Sequence, residues 1–340
     1  MNKNIYSELR YDLISKDWVV IATSKGKKPQ GFKFKKMKVE KIAKKDCPFC
    51  NIETQRKPTL IYSKGKQYPL DRGIPKDWTT IVIPNLFPVF KPSDSLDESI
   101  EGGLYKKMKA VGFQEIIVSK DHEKSLAQLG VKRIKELLDA YQQRYLDLMN
   151  EKHVNHISVF MNYGLGSGAS QPHPHSQIIT TPLIDKDLRI SLMNAQKYYQ
   201  KNKDCVYCKM IRWEKKAKER VIFENQDFLA LCPFASKSSF QIIITPKKHK
   251  SNFEDITEKE KEQLAEAFEK ALKKLYKGLN NPPYNIYLHT APCDGKKHDD
   301  YHWHWTIIPR LSIWAGFEAG VGMEISTISP EDAAKFLRKQ

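Results

Sequence analysis

Two sets of thiol and imidazole side chains recur in the same order along this chain. The first is Cys47-Pro-Phe-Cys50, then His122, then His173-Pro-His175. The second is Cys205-Val-Tyr-Cys208, then His249, then His302-Trp-His304. A Cys-x-x-Cys pair puts two sulfurs on one tight turn, and two imidazoles from distant segments complete a tetrahedral set of the kind zinc favours. Four protein ligands leave no position for a reacting water, so the expected role is structural. The reading is two zinc ions per chain, one held by Cys47, Cys50, His122 and His173, the other by Cys205, Cys208, His249 and His302. One further His in each set, His175 or His304, remains for chemistry. A neutral imidazole in a phosphate-binding pocket is a competent nucleophile towards phosphorus. In a strand, residues two apart share a face, so a metal held by His173 also helps to fix His175.

The segment ahead of His175 supplies the rest of such a pocket. It reads Asn162-Tyr-Gly-Leu-Gly-Ser-Gly-Ala-Ser-Gln171, and its glycines let backbone N–H groups approach an anion closely. Ser170 and Gln177 add side-chain donors for phosphoryl oxygens. The second set lacks these parts. His304 is followed by Trp305 and Thr306, and the preceding loop, Thr290 to Asp300, has one glycine and several charges. The second copy is therefore expected to be non-nucleophilic, with His304 a packing group.

The elements that must position these residues also repeat. A β-branched run ends at a ligand His in each half: Glu115 to His122, and Ile242 to His249. An amphipathic helix follows each run. In the first, Ile134, Leu137, Leu138, Tyr141, Tyr145 and Leu148 recur at three- and four-residue steps. In the second, Leu264, Phe268, Leu272, Leu275, Tyr276 and Leu279 do so, and Thr257 with Glu260 forms a capping box at its start. Another strand comes next (Ile157 to Asn162, Ile286 to His289), and a loop then leads into His-x-His. The predicted fold is α+β, with a mainly antiparallel sheet built from two duplicated halves. The halves are placed at 1–185, catalytic, and 186–340, with the polar segment 182–204 as connector. Residues 11–22 read as a hairpin, and the tail from Pro330 as a short helix with Pro in its first turn.

Bulk properties narrow the function class. The 340 residues suffice for one large domain or two ordinary ones. No apolar stretch approaches the roughly 20 residues of a membrane span, and no signal core follows the polar N-terminus. The expectation is a cytoplasmic protein with no membrane partner and reduced thiols, in which Cys-x-x-Cys pairs act as metal sites. Cys232 and Cys293 read as ordinary small residues. The net charge of +17 comes largely from lysines interspersed with acids, which reads as general surface charge rather than a nucleic-acid footprint.

At these residues the chain resembles the galactose-1-phosphate uridylyltransferase branch of the histidine-triad superfamily. The resemblance rests on Ser7-Glu-Leu-Arg-Tyr-Asp-Leu13, Lys25-Gly-Lys-Lys-Pro29, Cys47-Pro-Phe-Cys50, the block Asn162 to Gln177, and Ile308-Pro-Arg-Leu311 through Ala315-Gly-Phe-Glu318. Its Gly-Ala-Ser-x-x-His-Pro-His-x-Gln core is highly specific. The resemblance implies an open, mainly antiparallel half-barrel with helices outside, usually paired as a homodimer. It implies ping-pong transfer of UMP from a nucleotide sugar, UDP-glucose, to a sugar 1-phosphate, galactose 1-phosphate, through a uridylyl-histidine at His175. By the same comparison Gln177, Ser170 and the backbone at Gly168 hold phosphoryl oxygens, Asn85 contacts base or ribose, and Lys25, Lys28, Asn162 and Glu318 lie in the substrate-binding set. Lys25 and Lys28 stand where the family carries arginines, and Lys cannot form the same bidentate fork. The second Cys/His set resembles two-zinc relatives, among them ADP-glucose phosphorylase, which uses an adenine nucleotide and phosphate.

Overall fold

Short β-branched runs build one large sheet, and two long amphipathic helices cover one side of it. The computed structural model describes residues 7–22, 42–313 and 315–340. Lys25 and Lys28 lie outside the described residues. In chain order the strands are β1 Glu8–Tyr11, β2 Trp18–Ile21, β3 Leu60–Ser63, β4 Lys66–Gln67, β5 Trp78–Pro84, β6 Ser99–Glu101, β7 Tyr105–Lys107, β8 Gln114–Ser119, β9 His156–Tyr163, β10 His175–Thr181, β11 Val221–Glu224, β12 Phe228–Leu231, β13 Ile242–Pro246, β14 Tyr284–His289, β15 His304–Pro309 and β16 Ile325–Ser326. The α-helices are α1 Leu126–Leu129, α2 Val131–Leu148, α3 Lys186–Asn202, α4 Val206–Ala217, α5 Glu258–Gly278, α6 Gly316–Val321 and α7 Pro330–Arg338.

Eleven strands form one open sheet in the order β11-β12-β13-β15-β14-β9-β10-β8-β5-β3-β4. Every pairing in it is antiparallel. Read outward from its middle, the order β9, β10, β8, β5, β3 on one side repeats as β14, β15, β13, β12, β11 on the other. The duplication legible in the ligand pattern is thus a duplication of strand order, with β9 and β14 meeting at the centre. The fold is α+β, as expected, and the sheet does not close. Separately, β1 and β2 form the expected hairpin, and β16 adds to β2 in parallel.

Strand alternation divides the sheet's two faces. Ile178 on β10, Val159 and Met161 on β9, and Ile286 and Leu288 on β14 are buried in the main core. Against them pack the apolar stripes of α2 (Ile134, Leu137, Leu138, Tyr141, Tyr145) and α5 (Leu264, Phe268, Leu272, Leu275). The α5 start is the predicted capping box: the Glu260 N–H donates to Thr257 Oγ1, and Glu260 Oε2 accepts from the Thr257 N–H. The opposite face carries His175, Gln177 and Ile179 on β10, Phe160 and Asn162 on β9, and Asn285 and Tyr287 on β14.

Two details differ from the sequence reading. The connector is helical: α3 starts at an Asp185 N-cap, whose side chain accepts from the Leu188 N–H, and buries Leu188 and Ala195. Its polar composition masks a narrow apolar stripe. Also, β10 and β15 begin at His175 and His304, so His173 and His302 lie just before the strands rather than within them.

One ion pair ties helix to sheet. Arg144 on α2 donates from Nε and Nη2 to the two oxygens of Glu115 on β8, at 2.7 and 2.9 Å, and both side chains are largely buried. Glu115→Ala leaves Arg144 with Asp147 alone, a half-exposed partner 2.5 Å from Nη1, so the variant is expected to cost about 1–3 kcal/mol in denaturant unfolding. A loss below about 1 kcal/mol would mean that Asp147 and water satisfy Arg144 without Glu115.

Candidate functional site

The first Cys/His group closes as the sequence pattern predicts. Cys47 and Cys50 sit on a turn after a short 3-10 segment, His122 follows the end of β8, and His173 precedes β10. Sγ of Cys50 is 3.1 Å from His122 Nδ1 and 3.7 Å from His173 Nδ1, and the two Nδ1 atoms are 3.2 Å apart. Sγ of Cys47 is 3.4 Å from His173 Nδ1. The edges of a tetrahedral Cys2His2 zinc site are roughly 3.3–3.8 Å, from the usual bond lengths. The far ring nitrogens decide the tautomers. His122 Nε2 donates to the Ile42 carbonyl at 2.8 Å, and His173 Nε2 to the Ser119 carbonyl at 2.8 Å. A carbonyl only accepts, so each Nε2 carries the proton and each Nδ1 turns a bare lone pair inward. Burial also holds the His173 pKa down to about 4.

The second group repeats this arrangement. Cys208 Sγ is 3.4 Å from His249 Nδ1 and 3.6 Å from His302 Nδ1. His249 Nε2 donates to the Asp299 carbonyl at 2.6 Å, and His302 Nε2 to that of Pro246 at 2.9 Å. Cys205 is the N-cap of α4, so the positive end of the helix dipole favours thiolate there. In each group all four ligand atoms lie within 4.8 Å of one another. Both sets therefore fit a metal ion held by two thiolates and two imidazoles.

Beside the first group stands His175. Its Nδ1 donates to the His173 carbonyl at 2.9 Å, which leaves Nε2 unprotonated on the neutral ring. Burial lowers its pKa, favouring that neutral form. The Phe49 ring packs 4.9 Å from this imidazole and 5.8 Å from that of His173. Behind the strand, the Tyr141 and Ser176 hydroxyls meet at 2.6 Å and tie β10 to α2. The glycine-rich loop forms a 3-10 turn over 165–167. Gly164 has φ 76° and Gly168 φ 82°, and a Cβ on Gly164 would lie 3.1 Å from Pro283. Ser170 is exposed near the loop's end. Gln177 follows His175 on the same face and accepts at Oε1 from Gln114 Nε2, 3.2 Å away. Asn162, at the end of β9, accepts from Asn285 Nδ2 at 2.6 Å. The structure thus brings His175, Gln177, Asn162 and the Gly168 loop together.

Asn85, just past β5, donates its main-chain N–H to the carbonyl of Gln114, at 2.9 Å, and accepts at Oδ1 from the Phe87 N–H in a local turn. One sequence candidate stands apart. Glu318 is in α6 and accepts from the Ala315 N–H at its own helix start. Among the described hydrogen bonds, none joins Glu318 to the His175 strand. Sequence reasoning passed over Phe49, Gln114, Asn285 and Arg310. Gln114 and Asn285 share one signal, a polar amide near the start of a largely apolar strand run.

The second half keeps the histidine and loses its surroundings. His304 Nδ1 donates to the His302 carbonyl at 3.2 Å, as in the first half, and burial lowers its pKa to about 4. Its ring stacks on His289, 4.6 Å away at 24°. Thr306 stands where the first half has Gln177. A cavity of about 900 Å3 opens over this half, with His304 and Tyr207 in its wall.

The family model for the N-terminal domain of galactose-1-phosphate uridyl transferase matches residues 1–185, and that for the C-terminal domain matches residues 191–316. This chain belongs to the galactose-1-phosphate uridyl transferase family. Relatives with two names lie along the whole chain. An ADP-glucose phosphorylase of Arabidopsis thaliana is 30% identical, covering 99% of this chain and 94% of that protein. A galactose-1-phosphate uridylyltransferase of Thermotoga maritima is 26% identical, covering 98% of each. Among solved structures, an Arabidopsis thaliana ADP-glucose phosphorylase with bound ADP-glucose superposes with a TM-score of 0.81 at 28% identity, over 98% of this chain and 99% of that one.

The metal geometry makes a prediction for this family member. Elemental analysis is expected to give two metal equivalents per chain, and Cys47→Ser or Cys205→Ser to give one. Metal binding contributes directly to folding, so each variant should lose about 4 kcal/mol or more of stability. Full metal content in either variant would remove that cysteine from its ligand set.

Proposed function

We propose that this chain is a nucleotidyltransferase that moves UMP from UDP-glucose to galactose 1-phosphate through a uridylyl-His175 intermediate. The observation that carries this reading is the state of His175: a buried, neutral imidazole with Nδ1 bound to the His173 carbonyl and Nε2 bare, next to Gln177 and a glycine-rich turn. The Nε2 lone pair attacks the α-phosphorus. The bond from that phosphorus to the bridging oxygen breaks, and glucose 1-phosphate leaves with the electron pair. Positive charge then spreads over the imidazole, and the Nδ1–H bond to the carbonyl stabilises it. A phosphate oxygen of galactose 1-phosphate attacks the same phosphorus in the second step, and Nε2 departs as the neutral ring. Gln177, Asn162, Ser170 and backbone N–H groups around Gly168 hold the non-bridging oxygens as charge shifts.

In this reading residues 1–185 are the catalytic half and residues 186–340 the non-nucleophilic half. Asn85, Lys25, Lys28 and Glu318 belong to the substrate-binding set. The two Cys2His2 groups hold zinc, which ties chain segments together and takes no part in the transfer. The assembly is a homodimer in a reducing cytoplasm, which keeps all six cysteines as thiols or metal ligands.

A second reading has specific support: adenylyl transfer from ADP-glucose to phosphate, by the same nucleophile. The Arabidopsis thaliana phosphorylase has a higher identity than the Thermotoga maritima uridylyltransferase over a comparable span.

Intact-protein mass separates the two. After incubation with UDP-glucose or ADP-glucose without acceptor, a uridylyl adduct cleared by galactose 1-phosphate supports the first reading. An adenylyl adduct cleared by phosphate supports the second. His175→Ala is expected to abolish either adduct while the fold and metal content persist. An adduct that survives in that variant would overturn His175 as the nucleophile.

A further inference from the structure

Both amide side chains flanking His175 are held by a second amide whose orientation is fixed from outside. On one flank, Arg310 Nε donates to Asn285 Oδ1, while Asn285 Nδ2 donates to Asn162 Oδ1 at 2.6 Å and to the Ser167 carbonyl at 3.0 Å. On the other, the Val89 N–H donates to Gln114 Oε1 at 2.8 Å, and Gln114 Nε2 donates to Gln177 Oε1 at 3.2 Å.

Amide oxygen and nitrogen are normally told apart by their partners. Here the partners leave no choice. A guanidinium and a backbone N–H only donate, so they must face the oxygens of Asn285 and Gln114. The Ser167 carbonyl only accepts, which independently turns the Asn285 nitrogen towards the loop. The polarity then passes along each chain: Asn162 and Gln177 both use their oxygens on the inner amide. Each keeps its N–H2 group without a partner among the described residues.

Register places these two groups around the nucleophile. The pairing of Ser176 with Met161 sets His175 beside Asn162, which pairs with Asn285. Arg310 follows β15, the next strand over, and its main-chain N–H donates to the Pro283 carbonyl just before β14. Asn162, Asn285 and Arg310 also line one cavity of about 440 Å3, into whose wall β10 contributes Ile179 rather than His175 or Gln177.

We propose that Arg310 with Asn285, and the Val89 N–H with Gln114, are positioning groups that set the hydrogen-bond polarity of Asn162 and Gln177, so that both present N–H2 donors beside His175. The inference rests on the nucleotidyl-transfer reading. It gives the non-nucleophilic half a part in the reaction, because Asn285 and Arg310 both come from that half. An amide turned the other way would aim a carbonyl oxygen at a phosphoryl oxygen and oppose the transition state. Removing a single donor to a developing oxyanion costs about 10²–10³-fold in rate.

The test is a double-mutant cycle on the single-turnover rate of adduct formation, read by intact mass with the nucleotide sugar that labels the wild type. Arg310→Met is expected to slow adduct formation by about 10-fold or more, less than the full loss of a donor because the Asn162 amide remains and only its orientation is freed. In an Asn162→Ala background it should add less than about 2-fold, because the group through which it acts is gone. Arg310→Lys keeps a donor and should recover part of the rate. Gln114→Glu, nearly isosteric, is expected to behave likewise against Gln177→Ala. Equal slowing in both backgrounds would overturn the relay and make Arg310 or Gln114 an independent contributor. No slowing in the wild type would overturn it as well. A neutron structure of the resting protein reads the amide orientations without turnover. Asn162 or Gln177 with its oxygen turned towards His175 would sink the proposal even if the transfer reading stands. Wild-type protein labelled by neither nucleotide sugar, with the orientations as described, would fault the transfer reading instead.

Discussion

The antiparallel pairing of β9 with β14 is the constraint on which the rest of the molecule depends. It joins the two halves' sheets into one, with Tyr163 opposite Tyr284 and Asn162 opposite Asn285. A slip of one residue would turn every side chain of one half to the wrong face. The contacts around the pair pin it from both sides. Tyr163 and Tyr284 stack at 4.8 Å on the helix side, and the two asparagines bond on the other. The register that fixes the core therefore also carries order from one half into the pocket of the other.

Duplication explains why both halves keep one scaffold while their surroundings differ. Both halves hold a Cys2His2 group, proton-bearing Nε2 atoms on backbone carbonyls, and a final histidine bound through Nδ1 to the carbonyl two residues back. These features maintain chain geometry, so they are useful with or without a substrate. What differs is what surrounds the ring. His175 faces a glycine-rich turn and two donor amides, while His304 is stacked on His289 with Thr306 in place of the glutamine. A histidine with the same tautomer but no cradle for a phosphoryl group has little to stabilise as charge moves.

Much of this was legible in the sequence because it follows from spacing. The Cys-x-x-Cys pairs and the stripes from Ile134 to Leu148 and Leu264 to Leu279 are periodic or ordered patterns that fall where the pattern puts them, while His173 and His302 join their metal groups from just before the strands. The α3 helix was hidden, since its stripe is short and its composition polar. Gln114, Asn285 and Arg310 were hidden for a deeper reason. Their partners are chosen by strand register and by a carbonyl across a loop, and no local pattern encodes either. Phe49 lies inside a recognised motif, but its contact with His175 depends on the fold bringing β10 alongside that turn.

The open sheet has one more consequence. Strands in a sheet typically rotate by about 20–25° from one another, and among the described residues these eleven stop short of closing and leave two edges, β4 and β11. Such edges are templates for pairing between molecules. One edge, β4, is two exposed polar residues, Lys66 and Gln67, too short and too charged to recruit a partner strand. At the other, Arg338 of α7 donates to the carbonyls of Glu219 and Val221 at 3.0 and 2.6 Å and occupies acceptors that a foreign strand would need. The helix Pro330–Arg338 thus covers backbone acceptors through which this edge would otherwise be open to another strand.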